Sequence, residues 1–502
     1  MYENVLEYLE HAAQTWPDRI AFMDEKESLT YAQLLDAAQR VGTGIAAQTN
    51  MRKPVAVIMT DRSVRCVAGM LGVAYAGCPY APLDAAMPTE RLRVILELLQ
   101  PGAILCDEAT RAGVEKAEWP CPVLSYEDMA ATAVDADKLA YIRARVSTWD
   151  VLSILFTSGS TGVPKGVAQS HRSYIAYTET NTERFGFTQD DVYANQSPFF
   201  YANSITDIYP PIKIGAQVYV MPSRCLTFPK MLIETLQSRK VTVLCMTPSS
   251  YVKAASSGAM AAGCLPELKY IVLSGEAAHW QTLAVWLAAA PKAKVWNFYG
   301  STELLGVAVK RLERTYDDSE LIPVGKTYHG VEVLIVDEDG NELPRGEKGE
   351  MLIANPWLFS GYYRDKVRTD AAFTDDPLGR GYRTRYYCTG DIGCIAEDGS
   401  LTVHGRKDSQ IKRAGYRMEL GEVEAALRQI PGWDNGLVLY DKDSGKLCCF
   451  WTGVLTQKEI LAALKKSLPR YALPDTFIHL EEMPYTATMK IDRVKLRGMI
   501  GG

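Results

Sequence analysis

The stretch LFTSGSTGVPKGV, residues 155–167, holds four hydroxyls (Thr157, Ser158, Ser160, Thr161), three glycines (Gly159, Gly162, Gly166) and one lysine, Lys165. Hydroxyl donors and the backbone N–H groups that glycines leave open can wrap a polyanion, and a lysine among them neutralises its charge. The stretch therefore reads as a phosphate-binding loop. It is not a Walker A loop: that pattern ends in Gly-Lys-Ser/Thr, whereas here Pro164 precedes Lys165 and Gly166 follows it. The competing reading is a surface loop rich in small polar residues, and a lysine set inside the glycines argues against it.

A phosphate loop needs a rigid strand to launch it, and the apolar run 151–156 supplies one. Upstream, residues 1–46 show helical spacing, a short strand-like segment at 19–23, and Thr30 placed as the N-cap of a second helix. An apolar strand at 55–59 and a helix of small residues after it give the rhythm of a parallel sheet covered by helices. That rhythm returns from 151 to about 356, with β-rich runs at 218–221, 241–246, 270–273 and 295–298 and a helix at 228–238. Candidate site residues follow these runs, where the carboxyl ends of parallel strands gather ligands. After Gly325 the texture becomes antiparallel, with turn signals at Asp339-Gly340, Arg345-Gly346 and Asp398-Gly399. The last ninety or so residues read as α+β.

At 502 residues, more than one domain is expected. A net charge of -6 with scattered charges offers no basic field for nucleic acid. The start lacks the pattern of a signal peptide, and no window approaches a membrane span. Eleven dispersed cysteines without a C-x-x-C pair read as reduced thiols, so a cytoplasmic setting is expected.

Read together, LTYAQL at 29, YAGCPYAPLD at 75, FTSGSTGVPKG at 156, NFYGSTE at 297, GEMLIANPWLFSGYYRD at 349, TGD at 389, GRKDSQIKRAGYRMELGEVE at 405, LPRYALP at 468 and PYTATMKIDR at 484 resemble the adenylate-forming superfamily. The resemblance is nearest to adenylation domains of nonribosomal peptide synthetases and to D-alanine carrier protein ligases. It implies an α/β fold: a large domain, 1–407, of helix-covered, largely parallel sheets with a small β-barrel-like part, and a small mobile α+β domain, 408–502, hinged at Asp408. It also implies ATP and Mg2+ as cofactors. A carboxylate attacks the α-phosphate of ATP to give an acyl-adenylate and pyrophosphate, and a thiol then displaces AMP.

By that resemblance, Thr157, Ser158, Gly159, Ser160, Thr161, Gly162 and Lys165 hold the β- and γ-phosphates. Asn297, Phe298, Tyr299, Gly300 and Ser301 belong to the nucleotide segment, with Tyr299 along the adenine. Thr302 touches the α-phosphate and Glu303 helps hold the magnesium. Asp391 accepts from the ribose hydroxyls, Arg406 adds to the ribose or phosphate contact, and Lys490 carries the first step. The loop before Lys490 departs from the family's Asn-Gly, having Thr488-Met489. A dead-enzyme scaffold would predict damage at Lys165, Glu303, Asp391 or Lys490, and all four are present.

The informative departure is SPFFYANSITDIYPPIKIGA, 197–216, where amino-acid-activating relatives carry an aspartate for the substrate α-ammonium and this chain has Ala202. A buried ammonium without a counter-charge costs several kcal/mol. The remaining pocket positions are Asn203, Thr206, Cys245, Val272, Ser274, Phe298, Gly306 and Val307, mostly small and uncharged. The expected substrate is a small carboxylic acid without an ordinary α-amino group: an aryl, keto, hydroxy or β-amino acid. The expected acceptor is the phosphopantetheine thiol of a separate carrier protein, since no carrier segment follows Lys490. An acyl-CoA ligase, with coenzyme A as the thiol, is the alternative. Neither nucleic acid nor membrane is an expected partner.

Overall fold

Every residue of the strand Val243–Met246 is buried, yet its neighbours face two different cores. Val243 and Cys245 join one apolar cluster while Leu244 and Met246 join another, and the next strand repeats the split with Tyr270 and Val272 against Ile271 and Leu273. A strand whose two faces are both covered needs apolar residues throughout rather than alternation, which is why these runs were visible in the sequence. The computed structural model behind this description covers the chain except Met1, 117–118, 159–162, 277–279, Arg314, 317–321, 382–383, 408–409, Ala414, 442–443, 485–490 and 501–502, and the side chain of Gln281. Gly159, Ser160, Thr161, Gly162, Asp408 and Lys490 thus lie outside the described residues.

By internal packing the chain divides into two units. One comprises Met1–Ala85, Leu99–Leu155 and Gly166–Lys407; the other comprises Ala86–Leu98, Phe156–Lys165 and Asp408–Gly502. Among the described residues the first unit is built on a nine-stranded sheet, most of a seven-stranded sheet and a five-stranded antiparallel sheet. In the nine-stranded sheet the strands Lys294–Tyr299, Tyr270–Ser274, Val243–Met246, Val192–Asn195, Gln217–Val220 and Ile20–Met23 run parallel in that spatial order. The seven-stranded sheet includes Val151–Thr157, Tyr80–Pro82 and Val55–Ile58. The α/β class expected from the sequence is found.

The small residues of the helix Val64–Tyr75 have a packing reason. A Cβ on Gly72 would lie 2.5 Å from Val41 Cγ1, and one on Gly42 the same distance from Tyr75 Cβ, so the helix Tyr31–Gln48 can approach only because both contacts are glycine. Thr30 caps Tyr31–Gln48 as expected, in a reciprocal box with Gln33 that stabilises the helix by about 1 kcal/mol.

The second unit packs Met418, Val423, Val438, Cys449, Trp451 and Ile460 into its own core. Its sheet joins Asn435–Asp441, Lys446–Thr452 and Thr476–His479, with the helices Leu420–Arg428 and Gln457–Ser467 alongside in sequence. It also takes in 86–98 and 156–165, which the sequence reading assigned to the large domain. The physical links are a buried ion pair between Arg91 and Glu422 and a hydrogen bond from Ser158 Oγ to the Arg417 carbonyl, 3.1 Å. Among the described residues, no helix is long and apolar enough to cross a membrane, and all eleven cysteines are free.

Candidate active site

The strand Lys294–Tyr299 ends in a turn that only a glycine can close. A Cβ on Gly300 would sit 1.8 Å from the Leu305 carbonyl oxygen. Leu304 N and Leu305 N both donate to Ser301 O, at 3.2 and 2.8 Å, and Leu305 takes a φ of +54° to complete the turn. Three neighbours hold its outer carbonyls: Gln169 Nε2 donates to Thr302 O (2.9 Å) and Glu303 O (3.4 Å), Phe359 N to Glu303 O (3.1 Å), and Asn355 Nδ2 to Leu304 O (3.2 Å). Inside this frame the Glu303 side chain is fully buried, with the Tyr362 hydroxyl donating to its Oε1 at 3.1 Å. Ser301 Oγ is buried and has no hydrogen-bond partner.

Asp391 lies opposite Arg406 across the antiparallel pair Arg385–Ile395 and Leu401–Arg406. Arg406 Nη1 donates to Asp391 Oδ1 (2.8 Å) and to the Thr389 carbonyl (2.9 Å), and the Tyr299 hydroxyl donates to Asp391 Oδ2 at 2.5 Å. Burial and the neighbouring carboxylate push the Tyr299 phenol well above its usual range, so it stays protonated and keeps donating. Tyr299 and Asp391, 92 positions apart in the chain, thus form one cluster. Asn297 has its amide occupied by backbone: Nδ2 donates to Ile322 O and Pro323 O.

The predicted pocket residues share one face of the nine-stranded sheet. Register sets Cys245 beside Val272 and Ser274 beside Phe298, all on the side of the same apolar cluster or at its edge. The 3-10 helix Ala202–Asp207 brings Asn203 to Ser274, whose hydroxyl donates to Asn203 Oδ1 at 3.2 Å. Thr206 Oγ1 and the Tyr177 hydroxyl are 2.9 Å apart. A Cβ on Gly306 would stand 3.0 Å from both the Phe298 and Tyr177 rings, and the Trp357 indole fixes its carbonyl at 2.7 Å. Val307 N donates to Tyr299 O at 2.9 Å. Asp207 faces Asn195, whose Nδ2 donates to it at 3.0 Å, and burial pushes its carboxyl up to about 8, so it is neutral at neutral pH.

In the second unit, Thr157 Oγ1 is buried without a partner while Ser158 Oγ is bound to Arg417 O. Lys165 opens the strand Lys165–Ser170. These features fit the groups that the residues would hold. In the first unit, the orphaned Ser301 hydroxyl suits a phosphate oxygen and the buried Glu303 carboxylate suits Mg2+, which takes one or two carboxylates and completes its shell with phosphate and water; in the second, the orphaned Thr157 hydroxyl likewise suits a phosphate oxygen. Gln169, Tyr177 and Tyr362 were missed from sequence. Each is a lone side chain on a helix or strand whose partner lies 29 to 134 positions away, and no local pattern announces such a contact.

Residues 9–363 match the family model described as AMP-binding enzyme. The D-alanine--D-alanyl carrier protein ligase of Bacillus velezensis is 32% identical over 98% of each chain. Bacitracin synthase 3 of Bacillus licheniformis is 29% identical over 98% of this chain, which spans 8% of that much longer protein. The structure of the Vibrio cholerae adenylation domain AlmE, in complex with glycyl-adenosine-5'-phosphate, superposes with a TM-score of 0.86 at 22% identity over 99% of this chain and 98% of the other. With a turn shaped around Glu303, a Tyr299–Asp391 cluster and a family match across most of its length, the chain belongs to the AMP-binding enzyme family and is an AMP-forming ligase.

Proposed function

We propose that the enzyme activates a small carboxylic acid lacking an ordinary α-amino group and transfers it to the phosphopantetheine thiol of a separate carrier protein. The acid's carboxylate oxygen attacks the α-phosphorus of ATP, the bond to the bridging β-oxygen breaks, and pyrophosphate leaves. The thiol sulfur, losing its proton to solvent, then attacks the acyl carbon, and AMP leaves with the electron pair of the acyl C–O bond. Both partners in the first step are anions, so catalysis is chiefly positioning and charge neutralisation.

Thr302 and Glu303 are assigned to the α-phosphate and to Mg2+, which supplies further positive charge to the phosphates when bound. Asp391 is assigned to the ribose diol, with Arg406 holding it in place, and Tyr299 to the adenine. Ser158, Ser160, Thr161 and Lys165 are assigned to the pyrophosphate, with Lys490 neutralising charge as the carboxylate adds. The division at Asp408, with the C-terminal part moving between the two steps, belongs to the same proposal. A reducing, cytoplasmic setting is supported by eleven free cysteines.

The observation that carries the substrate reading is the pocket's lack of an ionised acceptor. D-Alanine, which the Bacillus velezensis relative loads, carries an α-ammonium. Here that ammonium would meet Ala202, and the Ser274 hydroxyl already donates to the carbonyl end of Asn203, leaving the amide N–H end for the ligand. An acceptor such as a hydroxyl or keto oxygen suits N–H groups; an ammonium does not. The carrier as acceptor is supported by the activity named for that relative.

The direct test is acid-dependent exchange of pyrophosphate into ATP. Lys490→Ala is expected to lower it by at least about a hundredfold. Exchange at the wild-type rate in that variant would remove Lys490 from the mechanism, and no acid-dependent exchange in the wild type would sink the proposal.

A further inference from the structure

We infer that Gln169 is a positioning residue for the Thr302–Glu303 turn; the inference rests on the role proposed for that turn. Gln169 is completely buried on the strand Lys165–Ser170. A buried amide is costly unless its hydrogen bonds are made, and this one is only half satisfied: Nε2 reaches two carbonyls, Thr302 O and Glu303 O, while Oε1 has no partner. The orientation is fixed by its neighbours, because turning the amide over would set its oxygen against both carbonyl oxygens.

The consequence falls on one residue. The Thr302 and Glu303 carbonyls flank Glu303, so one NH2 group holding both fixes the direction in which the Glu303 side chain leaves the backbone. Phe359 N and the Tyr362 hydroxyl hold the same residue from other directions. A Leu305 φ of +54° means the turn does not relax into this shape unaided. Among the described residues Gln169 makes no hydrogen bond to the acid-pocket positions or to Asp391, so its removal should act on the turn alone.

Gln169→Met keeps length and volume and removes both donors; Gln169→Leu removes the donors with a shorter, branched side chain. In the ligand-free variants, amide hydrogen exchange over 301–306 is expected to speed up roughly tenfold while the remaining peptides are unchanged. In pyrophosphate exchange, kcat is expected to fall about tenfold and the Mg2+ concentration needed for half-maximal rate to rise, with KM for the acid within about twofold of wild type. Wild-type hydrogen exchange in the turn in both variants would overturn the inference. So would a uniform acceleration across the chain with an unaltered Mg2+ requirement, which is what a packing role gives. Lack of any acid-dependent exchange in the wild type would defeat the proposed function separately, since the hydrogen-exchange arm reads the ligand-free protein.

Discussion

The turn at 300–305 and the proposed acid pocket over Cys245, Val272 and Ser274 share Phe298's sheet but are built by opposite means. The turn places a buried carboxylate inside a frame of backbone hydrogen bonds, and its neighbour Asp391 is held by Arg406 and Tyr299. The pocket places no ionised side chain among Ala202, Asn203, Thr206, Cys245, Val272, Ser274, Gly306 and Val307. The turn's chemistry is fixed by geometry that a single backbone allows. The pocket's is carried by side chains on one sheet face, Cys245, Val272 and Ser274, and on the 3-10 helix Ala202–Asp207. If the proposed roles hold, recognition of the nucleotide and choice of acid are separable, and substitutions should reveal it.

The largest effect is expected on the charged side. Glu303→Gln should lower pyrophosphate exchange by about a hundredfold or more, and added Mg2+ should recover only part of it. A loss confined to KM for the acid would mean that the two regions are not separable. On the uncharged side, Ala202→Asp should lower exchange with the preferred acid roughly tenfold and raise it with α-amino acids, leaving KM for ATP near wild type. The smallest effect belongs to Asp207. Its carboxyl titrates near 8 in the fold and near the ordinary carboxylate value when unfolded, so between these values the folded state holds a proton that the unfolded state has lost. The contribution to stability is fully present below about 4 and is lost as the pH rises to about 8. Asp207→Asn should flatten that dependence, a change on the order of a few degrees in melting temperature between about pH 5 and 8. An unaltered slope would mean the carboxyl is ionised throughout.

Much of the frame was legible because it is locally encoded. Period-two and continuous apolar runs gave the strands, Thr30 gave a helix start, and Asp339-Gly340 gave a hairpin whose glycine takes a φ of +86° between the paired strands Glu332–Val336 and Gly349–Ala354. The order of the strands was not legible. Ile20–Met23 pairs with Gln217–Val220 across nearly two hundred positions, and nothing in either segment names the other. The same holds for the site. Glu303 and Asp391 sit in recognisable stretches, whereas Gln169 and Tyr362, which orient Glu303, sit singly on strands. The guanidinium of Arg406 faces Asp391 and the Thr389 carbonyl, a pairing that follows from cross-strand register and that the local stretch does not announce. The affiliation of residues 86–98 and 156–165 with the C-terminal unit depends on long-range bonds of the same kind.

The measurement that bears most directly on the uncharged pocket is pyrophosphate exchange by the wild-type enzyme across a matched panel of aryl, keto, hydroxy, β-amino and α-amino acids, D-alanine included. The pocket around Ala202 predicts that an acid without an α-amino group gives the fastest exchange, by about tenfold or more over any α-amino acid. Fastest exchange with D-alanine or a common L-α-amino acid would contradict it.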